Sequence, residues 1–155
     1  MIDRARDAMR ARAPMRTWIR ALSLPVALAC LTILGLAKWL DPSPAGHSTH
    51  LQLGLRPCTV MSLTGWPCPM CGATTSFALM ADLRIPEALY NQPFASLLFL
   101  LTLGLFGVAT AEVVAPRDRW VRILDRVEPW EGRLAGGFLG AMALGWAWKA
   151  WLMNG

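Results

Sequence analysis

Four side chains of this 155-residue chain have the types and the crowding that metal or redox chemistry needs: His50, Cys58, Cys68 and Cys71. Three thiols and an imidazole are the ligand set of a closed Cys3His zinc site, and thiolates equally suit Cu(I). The spacing of Cys68-Pro69-Met70-Cys71 lets both sulfurs meet one ion, whereas the nine residues between Cys58 and Cys68 match no standard zinc finger. Met61 and Met70 could add thioethers for Cu(I), although both are better explained as packing residues. Two further readings use the same positions. A C-P-x-C pair at a helix start can exchange electrons, with Cys68 attacking a disulfide and Cys71 resolving it. In an oxidising compartment Cys58 can instead be bridged to Cys68 or Cys71, pinning a loop without turnover and leaving His47 and His50 as solvated loop residues. No thioredoxin-like βαβ pattern surrounds the pair, and no quinone or haem site is legible. The expectation therefore leans away from an enzyme, towards a module that binds Zn or Cu(I) or holds a disulfide.

The remaining titratable groups offer less. Cys30 lies among leucines and alanines and reads as a small hydrophobe. Asp41, Asp82 and Glu87 show no acid/base spacing and read as caps or solvated loop residues. Glu112 lies inside an apolar run, where a carboxylate is a functional candidate by default. Its place near the end of that run favours snorkelling or pairing with Arg117 or Arg119.

The elements that must carry these residues follow from composition. Hydrophobic residues make up 55% of the chain and charged ones only 16%, against roughly 25% charged in soluble domains. Three runs approach the ~20 apolar residues that span a bilayer. They predict an all-α integral membrane protein with spans over 18–40, 93–115 and 134–153. The apolar run of the first, Ala21 to Leu40, is preceded by six arginines but is too long for a signal h-region, and Lys38-Trp39-Leu40-Asp41-Pro42 offers no small-x-small cleavage site. A retained anchor is expected.

Arginine placement sets the orientation. The 1–17 tail together with Arg20 carries six, and the 116–133 segment carries five, whereas 41–92 holds only Arg56 and Arg84. By the positive-inside rule the tail and the 116–133 segment face the cytoplasm of a bacterial inner membrane, and the 41–92 loop and the C-terminus face the periplasm. Trp120, Ile123, Leu124 and Val127 recur at helical spacing between arginines, which predicts an amphipathic helix lying in the headgroup plane. Gly136 and Gly140, with Gly137, Ala141 and Gly145, give the third span a small-residue face for close helix packing, within the chain, against a membrane-protein partner or in a homo-oligomer. The basic blocks are accounted for by orientation and anionic lipid, and no nucleic-acid motif is present.

A helix over 72–83 should begin at the cysteine pair and dip into or lie along the membrane, because Pro67 and Pro69 prevent backward extension. Thr74 or Thr75 would satisfy its first turn, and its free N–H groups would lower the pKa of a cysteine there. The run from Asp41-Pro42 through Ser48-Thr49-His50-Leu51-Gln52-Leu53-Gly54-Leu55, Pro57-Cys58, Thr64-Gly65 and Pro67-Cys68-Pro69-Met70-Cys71-Gly72 to Thr74-Thr75-Ser76-Phe77-Ala78 and Gln92-Pro93 resembles the domain of unknown function 2752 family of small bacterial membrane proteins. The resemblance covers about residues 41–115. It implies membrane architecture and draws attention to Cys68, Cys71, Gly72 and Thr74, and more loosely to His50 and Cys58. Members resembling this chain commonly carry arginine where Thr75 stands, and Asn-Pro where Asn91-Gln92-Pro93 stands.

Overall fold

The computed structural model describes the backbone of residues 2–154 and the side chains of Trp18 and residues 21–154; the side chains of the basic tail and Arg20 lie outside the described residues. Among the described residues the fold is all-helical with no strand. The helices are α1 (Ile2–Trp39), α2 (Thr59–Thr64), α3 (Ala73–Ala81), α4 (Ile85–Asn91), α5 (Pro93–Val114), α6 (Arg119–Val127) and α7 (Glu131–Asn154), with 3₁₀ turns at Thr49–Leu53 and Glu128–Trp130.

Among the described residues two helices are long and apolar enough to cross a membrane, over Ala21–Trp39 and Pro93–Val114. Only 17% of either window is buried, so their leucines are not consumed by the chain's own core. Over the residues of the expected third span the chain forms one 24-residue helix, α7. It does not match the other two in apolarity, because glycine, tryptophan and Lys149 dilute its aliphatic content.

Helix boundaries follow local chemistry. Proline opens α5 at its first position, where its missing N–H is not needed. After α3, Leu83 takes a left-handed conformation with φ 60°. The Arg84 N–H then donates to the Leu79 carbonyl and the Leu83 N–H to the Met80 carbonyl, which satisfies the helix end.

The chain forms two compact units. One comprises Met1–Leu31 with Leu103–Glu131. Here Glu112 is buried, and its carboxylate accepts from the backbone N–H groups of Arg117, Asp118 and Arg119 at 2.9–3.2 Å and from the Arg119 guanidinium at 3.2 Å. The expected pairing is therefore with Arg119. The carboxylate also meets the first free N–H groups of α6, which favour negative charge. Trp120 donates from its indole to Ser23 Oγ at 2.9 Å, while Ile123, Leu124 and Val127 remain exposed. Cys30 is buried, in keeping with a packing role.

The other unit comprises Thr32–Thr102 with Gly132–Gly155 and contains every candidate site residue. Its core gathers Ala37, Leu79, Met80, Ala88 and Phe99. Phe77 meets Phe99 edge-on, and Phe94 meets Phe138 in the same manner. Gly145 is required here: a Cβ would fall 2.7 Å from that of Phe94. By contrast, a Cβ at Gly136, Gly137 or Gly140 would meet nothing within 4 Å.

Candidate functional site: a three-thiol pocket

Two short elements bring the thiols together. Cys58 is the N-cap of α2, and Cys68 to Gly72 form tight turns that lead into α3. The expectation that α3 starts at the cysteine pair is thus corrected: it starts at Ala73, with Gly72 as N-cap at φ 83°. Gly72 is obligatory for a second reason, since a Cβ would sit 2.6 Å from the Gly46 carbonyl oxygen. Nor does a threonine cap the first turn. Thr75 is buried, with its hydroxyl 2.8 Å from that of Thr49, whose oxygen in turn accepts the Ser43 N–H.

The turn that carries Cys68 is held from outside. Gln92 Nε2 donates to the Pro69 carbonyl at 3.2 Å, and Trp146 Nε1 donates to the Pro67 carbonyl at 2.8 Å. Asn91 Nδ2 donates to the Gly72 carbonyl at 3.1 Å and to Ser76 Oγ at 2.9 Å, and the Ser76 hydroxyl donates to the Ala88 carbonyl. Sequence reasoning missed Asn91, Gln92 and Trp146 as supports. The available signal was a polar pair immediately before Pro93, at the mouth of a charge-free run.

His50, Cys58, Cys68 and Cys71 all line one small, largely enclosed cavity of about 60 Å³, along with Met61 and Met70. The cysteines are free, and Cys58 and Cys68 are close enough for each to influence the ionisation of the other. His50 Nε2 is turned to the Arg56 carbonyl at 3.2 Å. Among the described residues no three His, Cys, Asp or Glu side chains meet as a metal-ligand group. The residues nominated by type therefore share a pocket, in which Cys58 and Cys68 lie near one another. His47 is half-buried and bonds Ser48 Oγ at 2.7 Å. Burial, with the Lys149 ammonium nearby, lowers its pKa.

The electrostatics reverse the expected order of thiol acidity. Cys68 and Cys71 are both pushed above the ordinary thiol range, chiefly by burial and then by the neighbouring sulfur, with Lys149 partly offsetting the rise at Cys71. Cys58 is instead lowered. The Met61 N–H at the first turn of α2 favours its thiolate most, and the Cys68 thiol and the Val60 N–H add to the effect. The thiol closes no cap hydrogen bond, yet a thiolate there would face those free donors. The helix-start argument was sound, but it applies to a helix the sequence did not announce.

Asp82 and Glu87 are both held in ion pairs. Asp82 ends α3 and pairs with Lys38 at 2.6 Å, and Glu87 pairs with Arg84.

Fold and site thus define an all-helical chain with two helices apolar enough to cross a membrane and, in the sequence between them, a loop bearing three thiols. Residues 58–106 match the model of a family described as a protein of unknown function (DUF2752). The match begins at Cys58 and includes α2, the Cys-Pro-x-Cys turn, α3, α4 and most of α5, so His50 lies ahead of it. No curated protein and no solved structure matches the chain.

Proposed function

We propose that the chain is a small accessory protein of the bacterial inner membrane whose periplasmic loop closes a Cys58–Cys68 disulfide, with Cys71 as a buried third thiol. The observation that carries this reading is that the Cys58 thiol, its pKa lowered, lies near the Cys68 thiol on the wall of one small cavity. The Cys58 thiolate attacks a disulfide supplied by an oxidising partner, forming a mixed disulfide and releasing one partner thiolate. Cys68, on losing its proton, then displaces the second partner thiolate. Two electrons pass to the partner, and the two thiol protons leave to solvent or partner. The product bond staples α2 to the turn ahead of α3.

The membrane part of the reading is supported by the exposed leucines of α1 and α5, which would be covered by lipid, and by the arginine asymmetry along the sequence. The bilayer is the first partner. α7 completes a third span in this reading, with Trp146, Trp148 and Trp151 at the interface. Its Gly136, Gly137 and Gly140 face is open to a membrane-protein partner or a second copy.

A second reading has a specific observation of its own: His50 lines the same cavity as the three thiols. In that reading the four side chains bind Zn or Cu(I), and His50 must turn away from the Arg56 carbonyl to do so. Mass spectrometry of detergent-purified protein, alkylated with and without prior reduction, combined with metal analysis, separates the two. A mass deficit of two hydrogens and two blocked thiols supports the disulfide. One equivalent of metal, lost in Cys68→Ser, supports the metal site. Turnover of a dithiol substrate that disappears in Cys58→Ser would instead make the protein a thiol oxidoreductase.

A further inference from the structure

Lys149 on α7 is a cation only 3% exposed. Its ammonium donates to the Gly46 carbonyl at 2.9 Å and to Asn91 Oδ1 at 2.6 Å, both neutral acceptors. Among the described residues no carboxylate lies within ion-pair distance of it. An ammonium has three donors, so two dipolar acceptors leave one donor and the net charge unanswered. Burying such a charge is costly unless an anion meets it.

The backbone is shaped around this side chain. Gly46 and Gly72 both take positive φ, and a Cβ at Gly46 would lie 3.1 Å from Lys149 Nζ, and one at Gly72 3.1 Å from Lys149 Cε. Lys149 also lines a cleft of about 680 Å³, within the roughly 300–1,000 Å³ of small-molecule sites. Leu79, Leu152 and Met153 give the cleft apolar walls. Arg84 and Glu87 line it as well, as an ion pair that leaves neither charge spare. The cleft therefore combines one unmatched buried positive charge with apolar walls.

We infer that the cleft binds a small amphiphilic anion, with a carboxylate or phosphate head on Lys149 and a short apolar body against Leu152 and Met153. The site is independent of the thiol chemistry and stands if no disulfide forms. The same head chemistry is available from a soluble amphiphile or from an acidic lipid, and the test separates the sources. The full chain, in nanodiscs of zwitterionic phosphatidylcholine, is titrated calorimetrically with octanoate and with octyl phosphate. In parallel, chain from nanodiscs containing phosphatidylglycerol is examined by native mass spectrometry for retained lipid. Saturable binding of either soluble probe, or retention of phosphatidylglycerol alone, is expected to weaken at least tenfold in Lys149→Met. It should weaken similarly in Met153→Trp, which fills the cleft but keeps the cation, and this second variant decides the matter if the first does not fold. Absence of binding by all three probes, or equal binding by wild type and Met153→Trp, overturns the inference. So does a Lys149→Met protein that folds and binds every probe unchanged.

Discussion

Cys58 shows how much a single residue's position can decide. Its thiolate is favoured because Met61 and Val60 present free N–H groups at the start of a six-residue helix, while burial disfavours the thiolates of Cys68 and Cys71. In reduced protein, iodoacetamide should therefore modify Cys58 at a pH below the ordinary thiol range and the other two only above it. Peptide-resolved alkylation rates across pH check this order. Met61→Pro removes the leading donor, so the Cys58 profile should move up in pH while that of Cys71 stays. At Gly72, alanine must accept both a left-handed backbone, worth roughly 1–2 kcal/mol, and a Cβ 2.6 Å from a carbonyl oxygen. Gly72→Ala should cost at least about 2 kcal/mol in a denaturation midpoint experiment and expose Cys71 to alkylation. Which residues would cluster was legible from type and spacing alone. Which thiol would be the acidic one was not, because six residues are too few to show a helical period, and the prolines at 67 and 69 drew attention to the wrong helix start.

At the scale of elements, two buried polar anchors hold segments in register. Glu112 gathers the three backbone N–H groups ahead of and at the start of α6 together with the Arg119 guanidinium. Glu112→Gln keeps the shape but removes the charge, and breaking a buried pair of this kind costs about 3 kcal/mol. Thermal melts should show a loss of that order, and amide exchange should quicken first over residues 117–127. Trp146 and Gln92 hold the carbonyls of Pro67 and Pro69. Trp146→Phe keeps the apolar bulk and abandons one of these bonds, so it should cost about 1 kcal/mol and raise the alkylation rate of Cys68. The long helices were legible because apolar length is a property of sequence alone. The site's supports were not: Gln92 and Trp146 are 54 residues apart in sequence, and only tertiary packing brings them to one turn. Nor was the pairing of Thr75 with Thr49, which a helix-capping rule would have spent locally.

For the molecule as a whole, composition indicated helices for a membrane, and two of them meet the requirement by length and apolarity. The orientation rests on arginine asymmetry, so a membrane-impermeant maleimide applied to intact spheroplasts should label a reduced cysteine of the 58–71 loop without permeabilisation; labelling that appears only after permeabilisation reverses the orientation. Within that loop everything turns on one bond, Cys58–Cys68. Non-reducing peptide mapping of protein trapped with acid and alkylated at harvest from cells measures it directly. A Cys58–Cys68 cross-link is expected, with Cys71 recovered as a free, alkylated thiol. Recovery of a Cys68–Cys71 link, or of all three thiols reduced with one equivalent of bound metal, would contradict it.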